Sequence, residues 1–201
     1  MLSYSKFLCV VLGLMGAVLS PGSLPAQSAP NPEAVAAIRK VGGNVLKISQ
    51  NDPRLDVILH LAGHDVTDET LPHVAQLEGI AWLNLAGTKI TNDGLAQLAE
   101  LKTLEKLHLE RTGIGDAGLA HLQQLENLSY LNLYGTAVTD AGLKHLQGLK
   151  KLRRLYVWQT QVTEAGIAEL KGAIPELTVI GAVTLQPVEP AKPEEKPAEA
   201  K

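Results

Sequence analysis

The sequence predicts an α/β solenoid, with a parallel sheet of short strands along one side of a coil and short helices along the other. Three observations predict it. Ile80, Leu104, Leu128 and Leu152 open four units spaced 24 residues apart, a regularity that belongs to stacked repeats rather than to a conventional globular core. Within each unit the fourth and sixth residues are apolar (Leu83 and Leu85, Leu107 and Leu109, Leu131 and Leu133, Leu155 and Val157), and later leucines such as Leu143, Leu146 and Leu149 stand three apart. The first spacing is that of a strand with one buried face, the second that of a short helix packing its inner stripe onto the strand. Finally, the same polar residues recur between the two patterns, with Thr88, Thr112, Thr136 and Thr160 in one column and Gly94, Gly118, Gly142 and Gly166 in another.

The chain has 201 residues, 45% hydrophobic and 19% charged, which allows one domain with a substantial core. Its first 29 residues follow a different logic. Lys6 is the only charge before Glu33, and the apolar run from Phe7 to Leu19 gives way to "SPGSLPAQSAP". A positive start, a short apolar stretch and small residues describe a secretory signal peptide over 1–29, with cleavage after Ala26 or Ala29. The run is short for a bilayer span, which takes about 20 apolar residues; left uncleaved it would anchor the chain. The lone cysteine, Cys9, lies inside this segment, so the processed chain would have no disulfide and no cysteine-held metal.

Residues 30–54 read as an N-terminal cap. A helix opens at Asn31 and Pro32, stops at Gly42 and Gly43 and leads into a strand, covering the open end of the repeat stack. The repeats occupy 55–183. The first unit, "LDVILHLAGHDVTDETLPHVAQLEG", is degenerate: Leu59, Leu61, Val66, Thr67, Asp68, Leu71, Val74 and Leu77 take the repeat positions, while His64 and Thr70 replace the usual Thr and Gly. In later units Thr91, Thr139 and Thr163 stand where a hydroxyl caps the helix, and Asp140 lies at the positive end of the helix dipole. The threonine column after the strand offers hydroxyls to turning backbone, and the glycine column lets adjacent turns approach closely. "LTVIGAV" (177–183) is a final strand, and 184–201, rich in Pro, Glu, Lys and Ala, is a disordered tail.

The units resemble the leucine-rich repeat family. Its pattern L-x-x-L-x-L-x-x-N/C-x-L is matched by "LEKLHLERTGI" (104–114) and "LSYLNLYGTAV" (128–138), with Thr in place of Asn or Cys. "TDAGL" (139–143) resembles the ribonuclease-inhibitor-like and cysteine-containing subclasses and short exported bacterial relatives. The resemblance spans about 55–180 and implies a curved horseshoe whose concave sheet binds partners.

Net charge is −3 with Lys and Arg dispersed, which excludes the electrostatic footprint of a nucleic-acid binder. The residues flanking the buried leucines project from the concave face. The third position of successive units holds Ile58, Trp82, Lys106, Tyr130 and Arg154; the fifth holds His60, Asn84, His108, Asn132 and Tyr156; the seventh holds Ala62, Ala86, Glu110, Tyr134 and Trp158. Four of the seven aromatic residues in the chain, Tyr130, Tyr134, Tyr156 and Trp158, therefore gather in one patch with Arg154 beside it. Such residues anchor protein interfaces, and the expected site is Lys106, His108, Glu110, Tyr130, Asn132, Tyr134, Arg154, Tyr156 and Trp158.

The same rings suit sugar stacking, which keeps envelope polysaccharide as the alternative ligand and an envelope-assembly role as a third. The bland reading is that the aromatics cover the last strands or pack against the tail. His60 and His64 straddle a strand and its turn and do not converge as metal ligands. His108 and Glu110 form a geometric dyad on an open surface without a nucleophile. No metal, cofactor or enzymatic activity is expected.

Overall fold

The computed structural model describes residues 29–181. Residues 1–28 and 182–201, on which the expected signal peptide and tail fall, lie outside the described residues. Helix α1 (Pro32–Lys40) is capped by Asn31, whose side chain accepts hydrogen bonds from the backbone N–H groups of Glu33 and Ala34. Gly42, at φ +87°, turns the chain into β1 (Asn44–Lys47). Seven strands then follow in chain order: β1, β2 (Leu55–Ile58), β3 (Ile80–Asn84), β4 (Lys106–His108), β5 (Tyr130–Asn132), β6 (Arg154–Tyr156) and β7 (Thr178–Ile180). β1 runs antiparallel to β2, and every later pair is parallel. The repeats thus form an α/β solenoid whose parallel stack is closed at its N-terminal end by a helix and an antiparallel strand.

On the opposite side α3 (Asn92–Leu95), α4 (Asp116–Leu119) and α5 (Asp140–Leu143) are single helical turns, each continued by one tighter 3-10 turn. α2 (Leu71–Ala75) begins this row and α6 (Glu164–Ala173) ends it. In the four regular units the leucines predicted to face inward do so. Leu83, Leu107, Leu131 and Leu155 are fully buried, as are Leu146 and Leu149 from the helical side. Strand and helix share one continuous aliphatic core among the described residues.

The polar columns bond the solenoid together. Thr88, Thr112 and Thr136 are buried, and each hydroxyl donates to the carbonyl three residues earlier, at 2.6 to 2.7 Å; Thr160 does the same. These bonds stay within their own unit rather than forming a ladder between hydroxyls. The links between units come from the aspartates. Asp116 accepts from the backbone N–H and the hydroxyl of Thr139, and Asp140 and Asp68 accept likewise from Thr163 and Thr91. Where the next unit has Gly115 and no hydroxyl, the preceding residue is Asn92, whose amide oxygen accepts the Gly115 N–H at 2.8 Å.

The glycine column makes room for this contact. A Cβ on Gly142 would overlap Asp116 Oδ1, and one on Gly94 or Gly166 would overlap Asp68 or Asp140. Thr70 stands in this column in the first unit, where no repeat precedes it. Helix capping is accordingly a lesser role of the threonines. Thr139 and Thr163 accept from Ala141 and Gly166 N–H, but Thr91 makes no capping bond and gives its hydroxyl to Asp68.

The first unit departs from the predicted register. Asp56, Val57 and Ile58 pair with Trp82, Leu83 and Asn84, so Asp56, not Ile58, stands beside Trp82. His60 is not on the strand. It opens a 3-10 helix, His60–Asp65, that accommodates two residues more than the turn of later units. Leu59 remains in the core, whereas Leu61 is 69% exposed. Because the slide is two residues, strand parity survives and the buried face stays apolar; a one-residue slip would have inverted it.

Candidate interaction surface

Each strand of β4, β5 and β6 is three residues long, buries its middle leucine and projects the residues on either side from the sheet's open face. Lys106 pairs with Tyr130 and Tyr130 with Arg154; His108 pairs with Asn132 and Asn132 with Tyr156. Two residues further on, Glu110, Tyr134 and Trp158 continue the face where the chain leaves the strands.

Within this grid the side chains pair diagonally. The His108 and Tyr130 rings lie 4.8 Å apart between centroids, and Tyr130 and Tyr156 lie 5.3 Å apart, both tilted. The result is a row of three rings across three strands, with the Arg154 guanidinium 5.7 Å from the Tyr130 ring. Glu110 fixes the base of the row: its Oε1 lies 2.7 Å from His108 Nδ1 and also accepts from the Asn132 amide. Its other oxygen, Oε2, is buried without a hydrogen-bond partner. Burial pushes the Tyr130 hydroxyl above the ordinary phenol range. A ring pair held this way loses little side-chain freedom on binding.

Two predicted members stand apart from the row. Tyr134 pairs with Arg111, whose guanidinium lies 5.2 Å from the ring centre and donates to the phenol oxygen at 3.3 Å. Arg111 adopts φ +53°, sharing a left-handed turn column with Gly87, Gly135 and Gln159; that backbone conformation aims its side chain at the next unit. Trp158, 47% exposed, lies against Gly181, at φ +105°, where a Cβ would overlap the indole.

At the other end of the sheet Asp56, Ile58, His60, Trp82, Leu83, Asn84, Lys106 and His108 line an open cavity of about 220 Å³. Lys106 Nζ sits 3.7 Å above the Trp82 ring, a cation–π contact. Sequence reasoning missed Asp56 because the two-residue slide carries it here. Its available signal was a carboxylate between Leu55 and Val57 in an otherwise apolar strand.

Burial raises the Asp56 carboxyl above its usual range, and Lys106, His108 and His60 oppose the shift. The folded state therefore binds this proton more tightly than the unfolded chain. The resulting penalty is absent below the unfolded value of 3.8 and grows as pH rises through the higher folded value. Asp56→Asn is expected to raise the melting temperature at pH 7 and to leave it unchanged at pH 3, as read by thermal melts at both pH values.

Residues 100–122 match the family profile described as a leucine-rich repeat, a window that covers β4 and α4 of a unit repeated along the same sheet. The chain has a leucine-rich-repeat fold. No curated protein sequence matches this leucine-rich-repeat chain. Among solved structures it is similar to an internalin of Listeria monocytogenes, at 19% identity and TM-score 0.40 over 54% of this chain and 36% of that one. An internalin C2 of the same organism is 18% identical at TM-score 0.41, covering 79% of this chain and 88% of that one. A plant peptide hormone receptor in complex with RGF2 is 20% identical at TM-score 0.40, covering 56% of this chain and 18% of that receptor. This chain thus spans about a third of the first internalin and under a fifth of the receptor. Among the described residues no helix is long and apolar enough to cross a membrane.

Proposed function

We propose that this leucine-rich-repeat chain is an exported, non-enzymatic module that binds another protein through the open face of its sheet. One observation carries the reading: His108, Tyr130 and Tyr156 form a row of half-buried, neighbouring rings across three paired strands, with exposed Arg154 beside it. Aromatic rings and arginine with few rotamers left to lose make strong anchors. The 42° tilt between Tyr130 and Tyr156 offers edges and clefts rather than one flat platform, which suits peptide side chains better than a sugar ring. The His108–Glu110 pair is tied to Asn132, so it shapes the surface rather than poising a base. Export rests on residues 1–29, whose pattern is that of a signal peptide.

The test is capture from a native envelope extract with the chain from residue 30, beside an Arg154→Ala/Tyr156→Ala variant shown by denaturation to be folded. A polypeptide retained by the first and weakened about tenfold or more by the second is expected. Equal capture by both removes this face as the site. Retention on purified cell-wall material, competed by soluble oligosaccharide, replaces the protein partner with a glycan.

A further inference from the structure

The cavity at the N-terminal end of the sheet arises where the first unit departs from the repeat. The two-residue slide brings Asp56 into the row that later units fill with Trp82, Lys106, Tyr130 and Arg154, so Asp56, Trp82 and Lys106 stand side by side on three neighbouring strands. Asp56 and Lys106 carry opposite charges on one cavity of about 220 Å³, yet they are not paired. The ammonium sits 3.7 Å over the Trp82 ring, and the Asp56 carboxylate takes part in no hydrogen bond or ion pair among the described residues. Trp82 thus keeps the two charges apart.

A half-buried carboxylate without a partner costs stability. Packing does not call for an acid here, because Leu55 and Val57 supply the core side of the strand. The Trp82 indole adds a second unmatched polar group, since its Nε1 is buried without a hydrogen-bond partner. Charge left unpaired in a concave site is the mark of a position kept for binding at the expense of stability.

The arrangement selects among ligands. A lone cation drawn to Asp56 meets Lys106, and a lone anion drawn to Lys106 meets Asp56; a molecule that carries both charges close together satisfies both. Further donors stand beside Lys106. The Asn84 side-chain oxygen accepts from the Ala86 N–H, which leaves its amide hydrogens to give, and His108 engages Glu110 through Nδ1, which leaves Nε2. Ile58, on the same face of the strand as Asp56, supplies an apolar wall. The volume lies below the range of about 300–1,000 Å³ that holds drug-sized ligands, so it suits one small molecule.

We propose that this cavity binds a free α-amino acid with a small apolar side chain, its ammonium on Asp56, its carboxylate among Lys106, Asn84 and His108, and its side chain against Ile58. The site stands apart from the protein-binding reading above and holds whether or not the ring row takes a partner.

The test uses L-valine as the probe. The full chain, produced with 5-fluorotryptophan, gives two fluorine resonances, from Trp82 and Trp158, which Trp158→Phe assigns. Valine is expected to shift the Trp82 resonance saturably while that of Trp158 stays, and calorimetry of the same titration gives the affinity independently. N-acetylvaline, which lacks the cation, and valinamide, which lacks the anion, are each expected to bind about tenfold or more weakly, as is valine itself to an Asp56→Asn variant. Asp56→Asn is expected to be the more stable protein at pH 7, so a loss of binding there is not a loss of fold. The absence of saturable binding of valine overturns the proposal. Equal affinity for N-acetylvaline or valinamide overturns it too, because the site would then take a single charge, and so does undiminished affinity in Asp56→Asn.

Discussion

Leu131→Ala is expected to destabilise the protein by about 2–5 kcal/mol, read as a fall in the denaturant midpoint. The magnitude follows from where the side chain stands. Leu131 is fully buried, and its strand pairs in register with Leu107 on one side and Leu155 on the other. Truncation opens a void facing both neighbouring units, neither of which can close on it without leaving its own register. A linear stack is stabilised largely by nearest-neighbour contacts, so a lesion in the middle weakens two interfaces where one at an end weakens one. Val179, in the terminal strand and only partly buried, has a single strand neighbour, Leu155. Val179→Ala is the matching control, with a cost below about 1.5 kcal/mol. Equal costs at the two positions would mean that the units do not share their core.

The repeat was open to sequence reasoning because its two leucine periods are local and the 24-residue spacing is exact. In the four regular units the columns named as buried are buried, and the glycine column does mark close approach; Leu61 of the first unit is the exception. The neighbour it approaches was harder to see. Asp140 read as a charge at a helix end, yet its carboxylate holds the next unit's Thr163. The signal was present as paired departures. Asn92 precedes the unit that has Gly115 for Thr, Thr70 replaces Gly where no unit precedes it, and Glu164 replaces Asp in the last unit. The slide in the first unit could not be read from alternation, because a shift of two residues preserves it. Side-chain pairing on the open face was the least legible part. Tyr134 leaves the predicted patch for Arg111, and Trp158 turns onto Gly181; both outcomes depend on left-handed backbone at Arg111 and Gly181. The row of His108, Tyr130 and Tyr156 was within the expected set, but its diagonal contact depends on rotamers that no column reveals.

Gly142→Ala is expected to destabilise the protein by about 2–3 kcal/mol, although glycine to alanine within a helix ordinarily stabilises by about 0.5–1 kcal/mol. The sign reverses because the new methyl would occupy the place of Asp116 Oδ1. Moving that carboxylate breaks its bonds to the Thr139 N–H and hydroxyl, at 2.8 and 2.7 Å, and leaves charged and polar groups unmatched between two units. Gly172, in α6 with no atom within 4 Å of its Cβ position, supplies the contrast: Gly172→Ala is expected to raise stability by about 0.5–1 kcal/mol. Asp116→Ala alone loses the inter-unit bonds and is expected to cost about 1–3 kcal/mol. In that background the carboxylate atoms that the methyl of Gly142→Ala would overlap are gone, leaving the Cα of residue 116 at 3.1 Å, and its further cost should fall to within about 1 kcal/mol of zero. Chemical denaturation of the two single variants and the double variant measures this coupling. Additive losses would show that the glycine column is required by the backbone approach itself, and not by the carboxylate that joins one turn of the solenoid to the next.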